Sequence, residues 1–190
     1  MEHLGTQTIE TERLILRKFE LSDARNMFDN YCGKEKVTEF LNWSHHKSVD
    51  DTKSWLSDYV LPAYAKKDTY RWAIVWKENN EVIGSIDVCE SNERKRCAEL
   101  GWVLGDTYWG KGIMPEAAKS VLKYLFSVGY ERIQATHHTA NPKSGRVMEK
   151  IGMKFEGVLK KQSMFKNNVF GRLLHVGDRK IKDKYYGRQI

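Results

Sequence analysis

Residues 97 to 138 read as a strand, a glycine loop, a long apolar-striped helix and a second strand, and few folds accommodate that order. "CAELGWVL" (97–104) is strand-like, and a loop with Gly110 and Gly112 on either side of Lys111 follows it. Ile113, Ala117, Val121, Leu125 and Val128 then recur at helical spacing, and Gly129 stops the helix. "RIQATHH" (132–138) is the second strand. A strand–helix–strand step of this kind is a crossover that leaves two parallel neighbours. The glycine loop falls at the C-terminal end of the first, where ligands of such sheets gather.

The segments before the crossover supply the antiparallel part. "YRWAIVW", the turn "ENNE" and "VIGSIDVCE" form a hairpin signal, and with 97–104 they make a meander. Upstream, "ERLILRKF" (12–19) reads as a strand and "LSDARNMFDNY" as a helix with Ser22 as its N-cap. "SVDDTKSWLSDYVLPAYAKK" reads as a second helix capped by Ser48, with Asp51 completing only part of a capping box. Trp55, Leu56, Tyr59, Val60 and Ala63 mark its apolar side, and Pro62 should kink or split it. Downstream, "NPKSGRVMEKIG" is a short helix ended by Gly152, and "MKFEGVLKK" and "VFGRLLHVGD" are the last strands. The fold class is therefore α/β (α+β), a mixed and mostly antiparallel sheet with helices on both faces. One domain over 1–190 is expected, with its core at about 10–178 and a basic C-terminal tail.

Composition narrows the function classes. The chain of 190 residues is 41% hydrophobic and carries a net charge of +7, a globular composition with room for a core. No run approaches the length of a membrane span. "MEHLGTQTIETERL" lacks the basic and apolar regions of a secretion signal, so a cytoplasmic location is expected. Cys32, Cys89 and Cys97 are odd in number and widely spaced, which suggests neither a disulfide framework nor a zinc site. The positive charge suits anionic ligands, but it is spread along the chain and no aromatic-rich RNA motif accompanies it. A solvated basic surface is expected, without direct nucleic-acid binding.

The glycine loop carries the sharpest chemistry. A helix start presents free N–H groups and partial positive charge, glycines let an anion approach the backbone, and Lys111 adds a cation. Pro115 lies in the first turn, where its missing N–H costs nothing. A diphosphate or similar anion on Gly110 to Met114 follows. A P-loop is excluded, because Gly112 stands where Ser or Thr must hold magnesium. A dinucleotide fingerprint is excluded, because Pro115 replaces the third glycine.

"ELGWVLGDTYWGKGIMPEAAKSVLKYLF" followed by "IQATHHTANPKSGRVMEKIGMKFEG" resembles the GNAT acetyltransferase superfamily, most closely the RimJ/RimL type that acetylates N-termini of ribosomal proteins. "TERLILRKFELSDA" and "WAIVWKENNEVIGSIDV" extend the resemblance over nearly the whole chain. The family loop pattern is Q/R-x-x-G-x-G/A; Gly112 matches it, while Trp109 and Met114 depart. The resemblance implies a GNAT-type sheet with a splayed parallel pair and acetyl-coenzyme A as cofactor. Its diphosphate would contact Trp109, Gly110, Lys111, Gly112, Ile113 and Met114. Its pantetheine arm would pair with the backbone of Trp102, Val103 and Leu104, where an N–H near Val103 would polarise the thioester carbonyl.

The resemblance also assigns Asn141 to the pantetheine arm and Ser144 to the sulfur. Residues 143–151 contain no tyrosine, so Ser144 is the hydroxyl there that can serve the leaving thiolate. Helix capping is the plain alternative for both. Glu99, on the strand face of Gly101 and Val103, is the candidate base, with Asp87 and His138 behind it. His137 and His138 are adjacent on a strand and cannot chelate one metal together; no metal site is expected. In "LNWSHHKS", Trp43 and His45 would shape the acceptor cleft and His46 would be solvated.

The expected function is acetyl-CoA-dependent transfer of acetyl to a primary amine, a protein or peptide N-terminus first, by direct attack in a ternary complex. No cysteine sits in either motif, so no acetyl-enzyme is expected. A small amine (polyamine, amino acid or antibiotic) is the rival acceptor, and a non-catalytic basic RNA- or ribosome-binding protein is the rival class. Monomer and homodimer both remain open.

Overall fold

The protein is described from a computed structural model over residues 1–165 and 168–178; the basic tail beyond lies outside the described residues. Eight strands hydrogen-bond in the order β1-β2-β3-β4-β5-β6-β8-β7. They are β1 (Ile9–Glu10), β2 (Leu14–Arg17), β3 (Arg71–Trp76), β4 (Glu81–Asn92), β5 (Cys97–Leu104), β6 (Arg132–His138), β7 (Lys154–Phe165) and β8 (Asn168–Asp178). The pairs β1–β2, β2–β3, β3–β4, β6–β8 and β7–β8 are antiparallel, and β5–β6 is parallel with Cys97 opposite Arg132 and Glu99 opposite Gln134. This is the mixed, mostly antiparallel sheet that the strand order implied.

The chain divides into two compact units, His3–Asp87 with Trp102–Ala117, and Met1–Glu2 with Val88–Gly101 and the chain from Ala118 on. The first unit holds α1 (Ala24–Met27), α2 (Glu35–Thr38), α3 (Val49–Trp55) and α4 (Leu61–Ala63). Phe19, Met27, Tyr31, Leu56, Val60, Val75, Val82 and Val103 form its core. In the second unit α5 (Ile113–Ser127, from Ala118 on) and α6 (Pro142–Lys150) accompany β6 to β8. Val121, Leu125, Ile133, Ala135, Met148 and Ile151 are buried there.

The early helices differ from expectation. The first is capped at Glu20, not Ser22: the Asp23 carboxylate accepts the Glu20 N–H at 2.8 Å and is itself held by a fork of two 2.8 Å bonds from Arg17. The Ser48 cap is a complete capping box, because the aspartate is long enough to accept the Ser48 N–H at 2.9 Å while Ser48 Oγ accepts the Asp51 N–H at 3.2 Å. Both helical stretches widen into π turns, at Phe28–Cys32 and Leu56–Val60. The second π turn ends two residues before Pro62, whose missing N–H denies the preceding turn a regular bond. The buried stripe is Thr52, Leu56 and Val60, and Tyr59 is 69% exposed instead of joining it.

Candidate functional site

In the first unit, β5 ends at Leu104 and a 3-10 turn (Asp106–Tyr108) leads to the glycines. Gly110 and Gly112 both adopt left-handed backbone, with φ of 79° and 74°. A Cβ on Gly110 would meet nothing within 4 Å, so the backbone turn, not space, demands glycine there. The first helical hydrogen bond of α5 is Glu116 N–H to the Gly112 carbonyl at 3.2 Å. Ile113 and Met114 precede it and have no carbonyl one turn back to donate to. Pro115 occupies the third helical position and contributes no donor.

Trp109 replaces the polar residue of the family pattern with a structural tie. Its indole N–H donates to the Leu104 carbonyl at 2.7 Å, and its ring packs against the core while Lys36 Nζ stands 5.4 Å from the ring centre. Lys34 and Lys36 pair with Asp106 at 2.9 and 3.4 Å, and the Lys34 hydrogen bond holds that carboxyl below its ordinary value. The Lys111 ammonium lies 5.4 Å from the centre of the Tyr108 ring. Met114 is buried, so its side chain turns into the core. Val103 and Leu104 are buried and Trp102 is half-buried.

The same unit holds Trp43, His45 and Asp87, three of the residues expected near the acceptor. Trp43 lies beside His46 (5.7 Å between ring centres), and His46 beside Trp55 (6.3 Å). His46 Nδ1 and Thr52 Oγ1 share a 2.8 Å hydrogen bond. Burial lowers the His46 pKa, with Asp51 opposing and His45 adding to the shift. His46 is thus packed among aromatics rather than solvated, because the loop is anchored by its N–H donating to the Cys32 carbonyl at 2.8 Å. His45 instead accepts from Lys47 Nζ at 2.9 Å through Nε2. Asp87 pairs with Arg71 at 3.3 Å, and the Arg71 guanidinium covers Trp55 at 5.5 Å.

In the second unit, Glu99 is held from the neighbouring parallel strand. Its Oε1 accepts from Thr136 Oγ1 and its Oε2 from Gln134 Nε2, both at 2.9 Å. Asn141 caps α6: its Oδ1 accepts the Ser144 N–H at 3.3 Å. That bond uses the serine backbone and leaves the half-buried hydroxyl out of the cap. His138 Nδ1 accepts the Ala140 N–H at 3.0 Å, so a neutral ring carries its proton on Nε2.

Sequence reasoning missed several partners. His137 is buried beside His175 with ring centres 5.3 Å apart, under a point where α6 backbone comes so close that a Cβ on Gly145 would lie 2.8 Å from His137 Nε2. Thr11, Arg13 and Glu116, which join the glycine loop, were also missed. The only sequence trace of the latter is an acidic residue one turn into a helix that should attract anions. Among the described residues no group of three or more His, Cys, Asp or Glu side chains could hold a metal ion, and no helix is long and apolar enough to cross a membrane.

Known proteins resemble this chain in family and fold. The family model described as Acetyltransferase (GNAT) domain matches residues 13–154. The chain is similar to the Uncharacterized N-acetyltransferase YoaA of Bacillus subtilis (strain 168), 32% identical over 85% of this chain and 90% of the relative. It is similar to the Ribosomal-protein-serine acetyltransferase of Escherichia coli (strain K12), 27% identical over 87% of this chain and 92% of the relative. Among solved structures it resembles an acetyltransferase (GNAT family) from Bacillus anthracis at a TM-score of 0.80 and 28% identity, covering 92% of this chain and 99% of that one.

Proposed function

Because the chain belongs to the GNAT acetyltransferase family and is an N-acetyltransferase, we propose that it takes acetyl from acetyl-coenzyme A and passes it to the N-terminal amine of a protein or peptide. The observation that carries the cofactor reading is the pair of left-handed glycines before α5, where the first helical N–H groups have no intrahelical acceptor. The diphosphate of coenzyme A is the anion that fits them. Likeness to a ribosomal-protein-serine acetyltransferase supports the protein N-terminus as acceptor.

The roles carried by the resemblance are part of this proposal. The amine nitrogen attacks the thioester carbonyl carbon; a C–N bond forms, the C–S bond breaks, and the thiolate departs. Ser144, whose hydroxyl is not used by the cap, serves that thiolate. Glu99, directly or through water, takes the proton of the attacking ammonium. Asn141 and the backbone of Trp102 and Val103 hold the pantetheine arm; the Leu104 carbonyl already accepts from Trp109. Trp43, His45, Asp87 and His138 line the acceptor side, and the packing of His46 between Trp43 and Trp55 adds it to them. Holding both reactants together supplies much of the rate.

Calorimetry with acetyl-CoA, followed by a thiol-release screen over N-terminal peptides, polyamines and aminoglycosides, tests the reading. Binding in the micromolar range with turnover on peptides is expected. No binding at tens of micromolar overturns the enzyme reading, and turnover confined to small amines overturns the acceptor.

A further inference from the structure

Glu116 is out of place for an anion site. A carboxylate in the first turn of α5 stabilises the helix start but repels a diphosphate brought to the same N–H groups. The structure gives both of its oxygens partners. Its Oε1 accepts from Thr11 Oγ1 at 2.6 Å and from the Arg13 N–H at 3.0 Å. Its Oε2 accepts from Arg13 Nε at 2.7 Å and from Arg13 Nη2 at 2.6 Å. Burial would raise its pKa, yet the bonds from Thr11 and Arg13 hold it below 4.5.

The third guanidinium nitrogen goes elsewhere. Arg13 Nη1 donates to the carbonyl of Lys111 at 3.0 Å. That peptide is trans, so a carbonyl pointing at Arg13 turns the Gly112 N–H to the opposite side. The planar fork can satisfy Glu116 and the loop carbonyl at once, which a single ammonium does poorly. The guanidinium is backed by the Trp76 ring, 5.7 Å from its centre.

We propose that Arg13 is a positioning residue of the glycine loop: it neutralises Glu116 and fixes the Lys111–Gly112 peptide so that the Gly112 N–H faces the cofactor diphosphate. This rests on the reading of the loop as the diphosphate site. Arg13 itself points at Glu116 and the loop carbonyl, so its effect on the cofactor is exerted through them.

Calorimetric titration with coenzyme A and with dephospho-coenzyme A tests it. Arg13→Met should weaken both about tenfold, since both carry the diphosphate and a charge-assisted bond of this kind is lost. Adding Glu116→Gln to Arg13→Met removes the bared carboxylate and should restore affinity to within about threefold of the unaltered protein. A merely structural clamp would make the double variant bind no better than the single one. Arg13→Lys keeps a cation beside Glu116 but loses the fork, with about a threefold loss expected; it carries the test if Arg13→Met shows no cooperative thermal unfolding. Arg13 variants that bind as tightly as the unaltered protein, or a double variant no tighter than Arg13→Met, overturn the proposal. If the unaltered protein fails to bind coenzyme A, the loop reading fails, and the clamp with it.

Discussion

The indole N–H of Trp109 donates to the carbonyl of Leu104 across 2.7 Å, tying the last residue of β5 to the residue before the glycines. Where the family pattern has a polar side chain, this chain has a brace. Leu104 is buried, so its carbonyl has little access to water as a substitute partner. Trp109→Phe keeps most of the packing and deletes the donor. It should cost about 1–2 kcal/mol of stability, read from urea unfolding. An unchanged midpoint would mean that the ring alone does the bracing.

Gly112 has a φ of 74°, and a Cβ there would find Arg13 Nη2 at 3.7 Å, an ordinary contact. The cost of Gly112→Ala is therefore backbone strain, about 1–2 kcal/mol, rather than a clash. The strained peptide should also present its N–H less well, and coenzyme A affinity should fall in calorimetry. Gly105 contrasts with it: a Cβ there would lie 2.7 Å from the Asn30 carbonyl oxygen, so Gly105→Ala should destabilise through sterics instead.

Asn141 and Ser144 separate cleanly. Asn141→Ala removes the side-chain acceptor of the α6 cap and should cost about 1 kcal/mol in thermal or chemical unfolding. Ser144→Ala leaves the capping N–H in place, so stability should hold. Turnover should drop by about 10²-fold with coenzyme A affinity nearly unchanged. Full turnover in that variant would assign the thiolate to water or backbone.

Glu99 has one oxygen facing Thr136 and the other Gln134. Glu99→Gln preserves shape, and the Thr136 hydroxyl can turn to accept from the new amide. Turnover should fall, with kcat lowered about 10²-fold and coenzyme A affinity nearly unchanged. Turnover equal to that of the unaltered protein would remove Glu99 from the chemistry.

Two histidines are held below their ordinary pKa of 6.5: His46 by burial, and His175 by burial and then by His137. The folded chain resists protons that the unfolded chain accepts. Their contribution is complete above pH 6.5 and is lost as pH falls through 6.5 toward the folded values. Urea midpoints should decline from pH 7.5 to pH 5.5, and His175→Phe should flatten part of that decline. A midpoint constant over that range would contradict the packed placement of His46 and the buried placement of His175.

The glycine loop, the helix after it, the β6 strand and the Asn141 cap were legible because their signals are local. Left-handed backbone needs glycine, an N-cap needs a short polar side chain, and a stripe at helical spacing shows within a few turns. The early helices were less legible. The π turns at Phe28–Cys32 and Leu56–Val60 depend on how many residues the packed core leaves between fixed ends, and sequence periodicity assumes a regular repeat. The sequence set His45 in the cleft and His46 in solvent, and packing of His46 against Trp43 and Trp55 overturned the second assignment, because adjacent loop residues share composition and only tertiary contacts distinguish them.

By itself the sequence determined the strand–glycine loop–helix–strand order and, through two motifs in order, the family. Tertiary structure alone decided what each charged group faces. Arg13 and Glu116 are 103 residues apart in the chain and share bonds of 2.6–2.7 Å, and Glu99 meets Thr136 only through the register of two parallel strands. Such partnerships follow from strand pairing and helix packing, which sum weak contacts over the whole chain, and no short stretch of sequence encodes them.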